Sequence, residues 1–109
     1  MSIELPAPIS RYFETDKTKA ADAVAQCFTG SAVVRDERKT HAGRDAIRAW
    51  KEQSSRTYSY VVEPLSLTEA EGRLVVTARL TGDFPGSPTT LRYAFALEDD
   101  QIADLEIAP

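Results

Sequence analysis

The hydrophobic period changes lastingly near Tyr58 in this chain of 109 residues, and that change limits the folds open to it. Before Tyr58, apart from a short alternating stretch at 32–36, apolar residues recur every three or four positions, as on one face of a helix. After it they alternate with polar ones, as on a half-buried strand. Helices first and then a run of strands implies an α+β plan, with helices laid on one face of a curved antiparallel or mixed sheet. The length suits one domain over residues 1–109, and no linker, repeat or low-complexity stretch divides it. Apolar residues make up 42% of the chain, enough for a core that needs no metal or disulfide staple.

Local signals place the elements. Pro8 suits a first helical turn, where its missing N–H does no harm, and Ile9, Tyr12 and Phe13 then share a face; this predicts a helix over about 8–16. Thr18 is the expected N-cap of a second helix over about 19–28, with Ala21, Val24, Ala25 and Phe28 facing the core and Gly30 as its left-handed end. A short strand over 32–36 puts Ala32, Val34 and Asp36 on one face. Lys39, Thr40 and His41 read as a turn leading to Gly43. A third helix, about 44–56, carries Ala46, Ile47, Trp50 and Ser54 on one side and Arg44, Arg48 and Glu52 on a solvated side. Strands follow, with a bend or bulge at Pro64, turns at Glu71-Gly72, 85–88 and Asp99-Asp100, and a last strand over about 101–107.

The formal charge of −4 comes from interspersed acids and bases, so no basic stripe for nucleic acid is present. No apolar run nears the roughly 18 residues of a membrane span, and no basic-then-apolar leader opens the chain. The expectation is a soluble, cytoplasmic protein without a membrane or nucleic-acid partner. A lone Cys27 cannot form an internal bridge, which suits a reducing compartment, and beside the apolar stripe of its helix it reads as a small hydrophobe. A lone histidine and acids at 99, 100, 104 and 106 match no metal-ligand spacing, so no metal site is expected.

Asp36 is the main candidate for chemistry. On its strand face it follows Ala32 and Val34, the partly desolvated setting that a proton-abstracting carboxylate needs. It could equally be a strand-end acid that caps a turn or pairs with Arg35 or Arg38. Tyr12 is either a core aromatic with its hydroxyl at the rim or a donor into a pocket. His41 could shuttle protons or simply bond to turn backbone. Phe13, Phe28, Trp50, Tyr58, Tyr60, Tyr93 and Phe95 are candidate cavity walls, with plain core the competing role.

Four stretches together, RYFETDKTKAADAVAQCF, SAVVRDE, HAGRDAIRAW and GDFPGSPTTLRYAFAL, give the chain a family likeness. It resembles the nuclear transport factor 2-like superfamily, and within it the SnoaL-like domains related to ketosteroid isomerases and polyketide cyclases. The resemblance implies a cone: a strongly curved sheet around N-terminal helices, a cystatin-like roll with a pocket at its open end, and homodimers that pack through the sheet face. It also carries over two roles: Tyr12 donates to a substrate oxygen, and Asp36 moves a proton between carbons. Ketosteroid isomerases hold a second acid on a later strand. Here that stretch is Leu91-Arg92-Tyr93-Ala94-Phe95, which has no acid, and Tyr93 is the nearest donor. The expected ligand is an apolar small molecule. The expected activity is a cofactor-independent isomerase, cyclase or hydratase acting on an apolar carbonyl compound; the alternative is a hydrophobic-ligand-binding or dimerisation module of the same fold.

Overall fold

A computed structural model describes residues 3–18, 20–57 and 59–109, with residues 55 and 57 described in backbone only. Three helices, α1 (Ala7–Lys17), α2 (Ala21–Gln26) and α3 (Arg44–Thr57), pack on one six-stranded sheet. The strands are β1 (Phe28–Asp36), β2 (Lys39–Ala42), β3 (Tyr60–Ala70), β4 (Arg73–Gly82), β5 (Thr89–Glu98) and β6 (Gln101–Ala108), in spatial order β2-β1-β6-β5-β4-β3. All neighbours run antiparallel except β1 and β6, which are parallel. That pairing sets the first strand against the last, Val34 opposite Leu105, and so joins the β1–β2 hairpin to the later strands in one sheet.

The helical stripes form as their spacing predicts. Ile9, Tyr12 and Phe13 are buried on α1, and Ile47 and Trp50 on α3, against Phe28, Val34, Val76, Phe95, Ile102 and Leu105 from the sheet. Gly43 opens α3 at φ 89°, a value that suits glycine, and its N–H donates to Ala32 O at 2.8 Å. Pro64 sits at an irregularity between β3 and β4, as its missing N–H requires.

The structure departs from the sequence reading around Cys27. The second helix stops at Gln26, and β1 begins at Phe28. Ile102 N donates to Cys27 O at 2.9 Å and Phe28 pairs with Ile102, so sheet hydrogen bonds with β6 override the helical period there. Gly30 therefore lies within a strand and caps no helix. Thr18 is the C-cap of α1, while Ala20 is the N-cap of α2; Thr18 Oγ1 still accepts the Ala20 N–H at 3.3 Å. Residues 39–42 are strand β2, where a turn was expected. The turn is Glu37-Arg38, both with positive φ (52° and 65°). Glu71-Gly72 and Asp99-Asp100 repeat that two-residue form, whose twist matches that of the flanking strands.

Candidate functional site

Asp36 closes β1 at the first residue pair of the β1–β2 hairpin, opposite Lys39. Strand alternation turns Arg35 to the outer face, where it pairs with Asp104 at 2.8 Å, and turns Asp36 toward the helices. There Trp50 Nε1 donates to Asp36 Oδ2 at 3.1 Å. Asp36 lines a cavity of about 390 Å³. Its walls come from α1 (Tyr12), α3 (Trp50, Lys51, Ser54), β3 (Tyr60), β4 (Leu80), β5 (Leu91, Tyr93), β6 (Ile107) and the β4–β5 connection (Phe84, Pro85, Gly86). The carboxylate is half-buried and also borders two neighbouring grooves, so it sits at the rim rather than sealed inside.

Tyr12 and Tyr93 form the inner wall, with ring centroids 6.5 Å apart. Burial raises both phenols well above the ordinary tyrosine value. The negative charge of Asp16 and the nearby Tyr93, Tyr60 and Asp36 push Tyr12 further the same way, and Tyr60, Asp16 and Asp36 do so for Tyr93. Both therefore hold their protons at neutral pH and can act as hydrogen-bond donors.

The most buried charges are a pair that the sequence reading did not single out. Lys51 Nζ meets Asp16 Oδ1 at 2.6 Å, with the two side chains only 3% and 7% exposed. The ammonium also lies 4.4 Å from the centroid of the Trp50 ring and 5.6 Å from that of Tyr12. A signal for both existed. Ile9-Tyr12-Phe13-Asp16 and Ile47-Trp50-Lys51-Ser54 are i, i+3, i+4, i+7 sets, so an acid and a base each occupy a core-facing phase of their helix.

Of the other candidates, Trp50, Tyr60 and Tyr93 line the cavity. Phe28 and Phe95 do not. They are fully buried behind it, edge-on to Tyr12 at 5.9 Å and 5.7 Å. Phe13 is buried among Tyr12, Tyr93 and Phe95 and borders a separate groove beside β3. His41 lies on β2 with its ring 6.0 Å from Trp50 and lines a neighbouring groove, not the cavity. Tyr58 lies outside the described residues. Arg44, expected on a solvated face, turns back so that Nε donates to Phe28 O at 2.9 Å. Burial raises the Cys27 thiol above its usual value, partly offset by its contact with Thr15, and leaves it an unreactive apolar group. Among the described residues, no cluster of three His, Cys, Asp or Glu side chains could hold a metal ion, and no helix is long and apolar enough to cross a membrane.

A curved open sheet over three helices, with a cavity between them, is the architecture of the nuclear transport factor 2-like and ketosteroid isomerase-like proteins. A Cytophaga hutchinsonii protein with the former fold is 10% identical (TM-score 0.74; 98% of this chain and 92% of that one). A Catenulispora acidiphila protein with the latter fold is 16% identical (TM-score 0.84; 97% and 87%). Within that class the chain belongs to the SnoaL-like domain family, whose model matches residues 9–105. It is similar along 94% of both chains, at 42% identity and a TM-score of 0.89, to a Sinorhizobium meliloti protein described as a candidate polyketide cyclase. No curated protein matches the chain in sequence.

Proposed function

We propose that this SnoaL-like protein is an enzyme that moves a proton on a small apolar carbonyl compound, in an isomerisation, cyclisation or hydration. One observation carries the reading: a carboxylate (Asp36) and two protonated phenols (Tyr12 and Tyr93) line the same mainly apolar cavity. Asp36 takes a proton from the carbon beside the carbonyl. The electron pair of that C–H bond passes to the carbonyl oxygen, and Tyr12 and Tyr93 donate to the enolate that results. Return of the proton to a different carbon completes an isomerisation. Trp50 keeps Asp36 aimed across the rim. The 42% identical Sinorhizobium meliloti protein is described as a candidate polyketide cyclase, which supports cyclisation among these reactions.

Deuterium exchange next to the carbonyl, followed by NMR over a panel of apolar cyclic ketones, tests the base without knowledge of the natural substrate. Asp36→Asn is expected to slow the exchange by about a hundredfold or more, the scale of positioned acid–base catalysis. A drop below about threefold removes Asp36 from the base's role and leaves the binding-module reading.

A homodimer through the outer sheet face is proposed beside this. Val61 on β3 is 67% exposed, and the small Ala94 and Ala96 lie beside Glu106 and Asp104 on the same sheet. Sedimentation velocity would give twice the monomer mass, and Ala96→Arg would return the monomer.

A further inference from the structure

We infer that Lys51, held by Asp16, is the oxyanion-recognising group of the cavity, so that the ligand places there an oxygen that carries or develops negative charge. The inference rests on the proton-transfer reading for the origin of that charge, but anion recognition can be tested without it. A buried ammonium has three N–H donors and needs acceptors for them. Asp16 Oδ1 takes one at 2.6 Å, and among the described residues no second acceptor meets Nζ. Two aromatic faces attract the charge, but they leave those donors without a lone pair. Lys51 is also one of the residues that line the cavity.

A purely structural role would be to pin α1 to α3. A buried ion pair is weak evidence for that, since apolar side chains of similar volume do it as well or better. Placement against a ligand-sized hollow distinguishes Lys51 from a sealed tie between helices. Trp50 links the two functions: its N–H holds Asp36, and its ring lies against the Lys51 ammonium.

The charges balance through the reaction. Before it, Asp16 and Asp36 are negative, Lys51 is positive and the ligand is neutral. After proton transfer Asp36 is neutral and the enolate oxygen carries the electron pair. One negative charge has moved from the rim toward the ammonium, with Tyr12 and Tyr93 as neutral donors beside it. Of the other titratable groups that line the cavity, Glu37 is exposed at the rim and Tyr60 is half-buried on β3. Lys51 thus serves where this chain lacks an acid on β5. The ligand class is a small apolar compound with a carbonyl that can enolise, or the matching aromatic oxyanion.

The probe is 4-nitrophenol, whose absorbance reports its ionisation, bound to the Asp36→Asn protein so that the Asp36 carboxylate does not compete; Glu37, exposed at the rim, is present in every protein compared. The phenolate is expected to bind at least about tenfold more tightly than the phenol, which lowers the bound probe's pKa by about one unit. Asp16→Asn with Lys51→Met in that background removes both charges together and should bring the preference below about twofold, with the fold checked by circular dichroism. Equal affinity for phenol and phenolate in the Asp36→Asn protein, or no saturable phenolate binding, overturns the inference even if the double swap does not fold. A preference that survives the swap overturns it too. Failure of Asp36 as the base leaves this outcome untouched, because every protein measured lacks that carboxylate.

Discussion

Two charge clusters in this protein have similar geometry and opposite surroundings. Inside, Lys51 and Asp16 meet at 2.6 Å with almost no exposure. On the outer face of the sheet, Arg35 and Arg73 both reach Asp104 Oδ1 at 2.8 Å, but their side chains are about a third exposed and water can replace either partner. Distance alone would rank the two together. Solvent separates them: outside, a lost partner is rehydrated, whereas inside, the remaining ion is left uncompensated in low dielectric. An ionic contact carries consequence here where the fold has excluded water, as it has around Lys51 and Asp16.

The comparison breaks most sharply at Lys51. Lys51→Met is expected to destabilise the fold by about 3–5 kcal/mol in urea unfolding, because Asp16 is left buried and alone, while adding Asp16→Asn should recover most of that loss. If the single and double variants unfold alike, the pair is not dry. High pH probes the same interior through the phenols. Folded Tyr12 and Tyr93 titrate above their unfolded value of about 10, so the native state keeps protons that the unfolded chain gives up. The stability linked to them is whole below about pH 10 and is lost as pH rises through their raised folded values. The melting temperature should fall steeply there, and less so in Tyr93→Phe. Outside, Asp104→Asn should cost no more than about 1 kcal/mol, an effect that shrinks as salt is added. His41→Ala should change stability by no more than about 0.5 kcal/mol and leave ketone deuterium exchange unaltered, since His41 lies off the cavity.

Where the sequence was legible, local physics agreed with the tertiary result. The period change at Tyr58 separates α3 from β3, and Gly72 and the Asp99-Asp100 pair mark real hairpins. The β1–β2 hairpin was hidden because its turn is built from Glu37 and Arg38, two residues with no special preference for positive φ. That is the hairpin that positions Asp36. Tyr12, Trp50, Tyr60 and Tyr93 reached the cavity as their helical phase or strand parity allowed, but Phe13, Phe28 and Phe95, chosen on the same grounds, are packing behind it or bordering a separate groove. Periodicity says which face of an element is covered. It does not say whether protein or a ligand covers it.

The sequence by itself determined the α+β plan, the three helices, the long strands and the inward phase of Tyr12 and Asp36, because each depends on residues within a few positions of one another. Only the tertiary structure decided that β1 lies parallel to β6, that Asp36 ends at a rim held by Trp50, and that Asp16 and Lys51 meet in the interior. The last two join residues 14 and 35 positions apart on different elements. Whether a charge is solvated or sealed depends on everything packed around it, and no local pattern contains that.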